Sequence, residues 1–269
     1  PEEHGDIVKL QAAATLRYEL EEGKRAFTSS EWQKAVETLQ RVQDLITDDP
    51  TLLADSEQQE ISKLLTNASV YQLLANAKNA FAQHDWDGAI KEYHNAVALL
   101  REKEAVLGKE EVADSIGKIE KTVLMTRISR EQSQIVGGAT DSGSLAANLE
   151  HSRAIVSLIE KSPLKNDPAL QEIYKDSKAQ IATLEKDILV NSKVAYLKER
   201  YETIFRENFP SAKSSVLANP QVTFVKREGN VLIFSMSCAE RSQGRTFRLE
   251  LNYQFDLDKG AWSLYSGKL

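Results

Sequence analysis

The segment "EGKRAFTSSEWQKAVETLQRVQDLI" at residues 22–46 recurs 54 residues later as "NAKNAFAQHDWDGAIKEYHNAVALL" at residues 76–100. The shift maps Leu20 to Leu74, Gly23 to Ala77, Lys24 to Lys78, Ala26 to Ala80 and Phe27 to Phe81. It continues through Trp32 to Trp86, Ala35 to Ala89, Leu39 to Tyr93, Val42 to Ala96 and Ile46 to Leu100. Ala35, Leu39, Val42 and Ile46 step by 4, 3 and 4, which sets them on one helical face. A chain that repeats such a pattern repeats a unit of structure, and that unit is an antiparallel helical hairpin. Small residues at 23/77, 35/89 and 96 let the paired helices approach closely, and the Trp after the turn wedges between them.

The extra length lies ahead of each first helix. "DSEQQEISKLLTNASVYQLLANAKNAF" holds Ile61, Leu64, Ala68 and Leu74 on one stripe with no Pro or Gly inside. It reads as a single helix of about 27 residues and roughly 40 Å. Asp49-Pro50 is expected to supply its cap and first residue. A third, degenerate copy follows at a spacing of 56, with Leu145, Leu149, Ser152 and Val156 on the stripe and Ser142 in place of the Trp. Its first helix is expected from about 109 to 136. The "GGATDSGS" loop lacks the spacing of a phosphate-binding motif and reads as a helix connection.

These residues resemble the tetratricopeptide repeat, a helix-turn-helix unit with small residues at its eighth, twentieth and twenty-seventh positions. The likeness covers residues 16–47 and 70–101. It departs from the family in its period, in Val42 at a small-residue position, and in lacking the closing Pro. The resemblance implies a concave surface built from positions 2, 5, 9 and 12 of each first helix. Carried onto this chain, those are Arg17, Leu20, Lys24 and Phe27, then Tyr71, Leu74, Lys78 and Phe81. Three cations over an apolar floor imply a partner peptide or protein with acidic character. The family's carboxylate-clamp pattern is not reproduced, so a chain terminus is not specifically implied.

Asp167-Pro168 opens another helix, with Leu170, Tyr174, Ile181, Leu184 and Ile188 at 3/4 spacing and a shifted phase at Leu197, Tyr201, Ile204 and Phe205. It is expected to run for up to about 40 residues, with a kink near Asn191-Ser192. A coiled-coil homodimer and packing inside one chain would both bury its stripe, and packing is the preferred reading. After Pro210 the period becomes two. "TFRLELNYQFDL" places Phe247, Leu249, Leu251, Tyr253, Phe255 and Leu257 on one face of a strand. "QVTFVKR", "NVLIFSMSCAE" and "AWSLYS" complete a four-stranded antiparallel meander, for which "YLKERYETIFRENF" is the covering helix. Helix followed by meander is similar in topology to cystatin-like and nuclear-transport-factor-like folds, a likeness without a motif. The expected architecture is mainly α, with helical-hairpin repeats over 1–192 and a small α+β domain over 193–269.

A net charge of −6 without a basic block argues against nucleic acid as a partner. His4, His84, His94 and His151 form no motif with the carboxylates, and Cys238 stands alone on a strand. No catalytic residue, metal site or cofactor is expected. The leading expectation is a non-catalytic scaffold that binds a protein through its helical surface. The alternative gives the C-terminal module a small ligand or an enzymatic activity, with the repeats as spacer. No apolar run reaches the roughly 20 residues that span a bilayer. The charged opening "PEEHGD" without a Met is read as the trace of a removed signal or tether upstream of Pro1. That reading points to the cell envelope or periplasm, with the cytoplasm as the other setting.

Overall fold

A computed structural model describes residues 2–208, 216–242 and 245–268, and no helix in it is long and apolar enough to cross a membrane. The fold is mainly helical and ends in a four-stranded antiparallel sheet. Its elements are α1 (Glu2–Thr28), α2 (Trp32–Asp48), α3 (Asp55–Ala82), α4 (Trp86–Glu102), α5 (Glu104–Leu107), α6 (Lys109–Gln134), α7 (Ser142–Glu160) and α8 (Pro168–Asn208). The strands are β1 (Val216–Glu228), β2 (Val231–Ser242), β3 (Arg245–Asp256) and β4 (Ala261–Lys268). Two compact units result: Pro1–Ser133 with Leu158–Lys165, and Gln134–Ser157 with Asn166–Leu269. The line at 192/193 drawn from the sequence falls inside α8.

In the first unit, α1 packs on α2, α2 on α3 and α3 on α4. Ala35, Leu39, Val42 and Ile46 are buried on α2, and Ala89, Tyr93, Ala96 and Leu100 are buried at the equivalent positions of α4. Burial also pushes the Tyr93 hydroxyl above its ordinary pKa. The repeat extends to the backbone. Ser30 and His84, which are 54 residues apart, are both left-handed, at φ 61° and 60°. Around them Glu31 N–H donates to the Ala26 carbonyl at 2.9 Å and Ser30 N–H to that of Phe27 at 3.0 Å. Asp85 and His84 repeat this pair onto Ala80 and Phe81 at 2.9 and 3.0 Å. This six-to-one and five-to-two pattern satisfies the last carbonyls of a helix and turns the chain. The next helix then starts at Trp32 or Trp86.

Helix starts account for the other boundaries. The Asp85 carboxylate accepts from Gly88 N–H at 2.9 Å, and the Asp141 carboxylate, 56 residues on, accepts from Ser144 N–H at 2.8 Å. The second bond holds the Asp141 carboxyl below its ordinary pKa. The degenerate copy therefore keeps its cap although it lost its Trp. Its loop is pinned by the buried Asn148, which donates to the Val136 carbonyl at 2.8 Å and accepts from Val136 N–H at 2.9 Å. One cap differs from expectation. Asp49-Pro50 caps a single 3-10 turn, Pro50–Leu52, and α3 begins only at Asp55. The Glu57 carboxylate reaches back to accept from Ala54 N–H at 3.1 Å, the half of a capping box that an Ala at the N-cap still allows.

In the second unit α8 runs unbroken through Asn191 and Ser192, so the expected kink is not there. Neither residue removes a backbone donor. Asn191 instead donates to the Thr140 carbonyl at 2.8 Å and Ser192 to that of Leu189 at 2.7 Å. The non-helical dihedrals fall at Arg200. The N-terminal half of α8 packs Ile181, Leu184 and Ile188 with Leu145 and Leu149 of α7. Its C-terminal half sets Val190, Leu197 and Ile204 against Val222, Phe234, Leu251 and Tyr253 of the sheet. Of the stripe that suggested a coiled coil, Leu170, Leu184, Leu197 and Ile204 are buried within the chain. Strand order is β1-β2-β3-β4, with the β1–β2 turn at Gly229 (φ 58°). The side chains of His4, Phe205, Cys238, Phe247 and Leu249 lie outside the described residues.

The close approach of α1 and α2 generates one prediction. A Cβ at Gly23 would stand 2.8 Å from Leu39 Cδ2 and 2.9 Å from its Cγ, while Leu39 is fully buried. Gly23→Ala is expected to cost about 1–3 kcal/mol through overpacking, more than the roughly 0.5–1 kcal/mol gained in helix propensity. Urea denaturation measures the difference, and a more stable variant would refute the contact.

The turn between β3 and β4 generates another. The Asp256 carboxylate accepts from Lys259 N–H at 3.1 Å and Asp258 N–H at 3.0 Å, and these bonds, with the Lys259 charge, hold its pKa below the ordinary 3.8. The ionised form is favoured in the fold, so its contribution to stability is present above 3.8 and is lost as pH falls through the lowered value. NMR titration of the Asp256 carboxyl carbon should give a midpoint below 3.8; a midpoint at or above it contradicts the turn geometry.

Candidate functional site

The expected surface residues fall into three places. Arg17, Leu20 and Lys24 of α1 line a groove whose opposite wall is the N-terminal half of α3. One part of it, about 360 Å³, has a floor of Leu20, Ile61 and Leu64 and a rim of Lys24, Lys63, Glu57, Glu60 and Asn67. An adjoining part of about 500 Å³ shares Leu20, Lys24 and Glu57 and is closed by Thr51–Ala54. The α3 wall belongs to the stretch that lengthens the repeat beyond the family's 34 residues. Positions transferred from that family do not reach it, so Ile61, Lys63, Leu64 and Asn67 were missed as site residues. The signal was present, because Ile61 and Leu64 had already been placed on the helical stripe.

Phe27 and Tyr71 come together at the second place, around Trp32. The Trp32 ring stacks on Tyr71 with centroids 4.8 Å apart, and Phe27 meets both rings edge-on at 5.4 and 6.0 Å. Trp32 is half-buried, as is its counterpart Trp86. The third place is the second hairpin. Leu74 packs into its core, while Phe81 sits edge-on to Trp86 at 5.0 Å and stays 37% exposed. Lys78 is exposed on the same helix. The structure therefore does not bring the eight residues into one surface: three line the α1–α3 groove, and the rest serve aromatic or core packing or remain on the surface.

The electrostatics of the groove are mixed. Lys24 lies 3.7 Å from Glu21, and Lys63 lies 2.9 Å from Glu111. These pairs are exposed and contribute little to stability, so each cation can be turned toward a partner at low cost. Glu57 already spends one oxygen on Ala54 N–H. The rim offers both signs around an apolar floor, which suits a segment with an aliphatic anchor flanked by polar or charged groups. Among the described residues no group of three or more His, Cys, Asp or Glu is placed to hold a metal ion. Comparison with known proteins found no match to any protein-family profile, curated sequence or solved structure.

The aromatic cluster can be tested by itself. A double-mutant cycle with Trp32→Leu and Tyr71→Leu should return a coupling energy of about 0.5–1.5 kcal/mol, the usual worth of an aromatic pair. Additive losses would show that the two rings do not interact.

Proposed function

We propose that this chain is a non-catalytic interaction protein of tetratricopeptide-repeat type, a scaffold that holds a segment of a partner protein in the groove between α1 and α3. The observation that carries the reading is the groove itself. It is lined by the first helices of two successive copies, with aliphatic residues on its floor and charged side chains on its rim. Its 360 Å³ part has room for one or two aliphatic side chains, in the range where a single anchor supplies much of a peptide's affinity. The two lysines favour acidic groups beside that anchor, and Glu57 and Glu60 restrict where those groups sit. The long helices extend the groove past the length of a standard repeat, so the partner segment is read by both walls.

The test is site-directed photo-crosslinking in native extract, with a photoreactive residue at position 24 and, as control, at Gln40 on the exposed outer side of α2. A partner captured from position 24 and not from 40 identifies the ligand. Its purified segment should then bind Lys24→Glu/Lys63→Glu at least about tenfold more weakly than the native chain. Equal affinity in a double variant with unchanged thermal stability would remove the groove from the mechanism.

A further inference from the structure

The α1–α3 groove has a counterpart one copy further along the chain. The 54-residue shift carries the 3-10 turn at Pro50–Leu52 onto the start of α5. It also carries the cluster of Leu16, Val42 and Ile46 with Leu53 onto that of Val70, Ala96 and Leu100 with Leu107. Leu107, Gly108, Glu111 and Asp114, the counterparts of Leu53, Ala54, Glu57 and Glu60, line a second hollow of about 570 Å³. Lys63 joins the two, because it stands on the rim of the first groove and donates to Glu111 of the second hollow at 2.9 Å. The floors differ. Ile61 and Leu64 of the first groove correspond to Ser115 and Lys118. Lys118 is exposed and donates to the Asp114 carboxylate at 2.6 Å, so a charged pair stands where the first copy has Glu60 and Leu64.

Resting on the groove reading of the proposed function, we propose that Ile61 and Leu64 determine its specificity and that each chain accepts one aliphatic anchor. The first groove offers that anchor an aliphatic floor. An aliphatic side chain entering the second hollow would strip water from the Lys118 ammonium and the Asp114 carboxylate, a cost that works against its own burial. The repeat thus carries one accepting site and one rejecting site side by side, and the rejecting one restricts the register of the partner. The partner is a polypeptide segment with a single aliphatic residue and acidic groups beside it for Lys24 and Lys63. Where it passes over the second hollow it is polar. The residues that make the contrast lie on α3 and α6, so it does not depend on α1.

A random peptide library displayed on phage and selected on the full chain supplies the probe. Selected peptides should share one aliphatic residue, and calorimetric titration of a synthetic copy should give a single site per chain. Leu64→Lys, which carries the second floor into the first, should weaken that peptide at least about tenfold. Ser115→Ile with Lys118→Leu carries the first floor into the second, at a half-buried and an exposed position, and should raise the stoichiometry to two. Two sites on the native chain, or still one on a folded Ser115→Ile/Lys118→Leu chain, overturns this inference and leaves the groove itself standing. Selected peptides without a shared aliphatic residue, or one that binds a folded Leu64→Lys chain equally well, overturn both.

Discussion

The close contact of small residues between successive helices is the constraint on which the helical half depends. Gly23 leaves 2.8 Å between a notional Cβ and Leu39, and the second copy solves the same crossing with fully buried Ala77 and Ala89 and a larger Tyr93. Two helices can approach this closely only where one presents a side chain of at most a methyl group. The left-handed turns at Ser30 and His84 follow from that requirement. They end each first helix at a fixed residue, so that Ala35 and Ala89 arrive opposite the right gap. The Trp that opens each second helix then lands on the Phe that closes the first, at 5.4 and 5.0 Å.

The groove is a consequence of how the copies stack. The α1–α2 hairpin packs its apolar side against α3, and between α1 and α3 the longer helices leave a trough with Leu20, Ile61 and Leu64 at its base. Its rim lysines are paired with carboxylates at exposed positions and retain freedom to exchange partners. On α1 Leu10 and Ala14, the counterparts of Leu64 and Ala68, are exposed.

The second unit rests on α8, which changes partner along its length. Ile181, Leu184 and Ile188 pack with α7, whereas Val190, Leu197 and Ile204 cover the sheet. The sheet's apolar face, including fully buried Leu251 and Tyr253, is occupied by that helix. At one end of the sheet the two hairpin turns are tied together, with Asn230 donating to the Asp258 carboxylate at 3.0 Å and its carbonyl accepting from Leu257 N–H at 2.8 Å.

Much of this was legible in the sequence, because period and spacing are local properties. The 54-residue repeat, the single 28-residue helix from Asp55 to Ala82, the four strands and the α8 cover for their apolar face all follow from side-chain alternation and turn residues. The Asp85 and Asp141 caps were not singled out, although their 56-residue relation was there to be read. The run from Asp55 matches the start of α3, but its cap was misassigned, because Asp49-Pro50 caps a separate 3-10 turn and only the path of the intervening residues shows this. The site divided in the same way. The sequence determined which residues occupy each helical face, and the family resemblance named Arg17, Leu20 and Lys24. Which faces meet is a property of the stacked helices. Tertiary structure alone placed Ile61 and Leu64 across the groove, took Phe27 and Tyr71 into the Trp32 cluster, and left Leu10 in water while burying the interface that Leu64 shares. The physical reason is that one apolar stripe carries the same hydrophobic driving force in either setting, and only the presence of a neighbour determines whether it is core or surface.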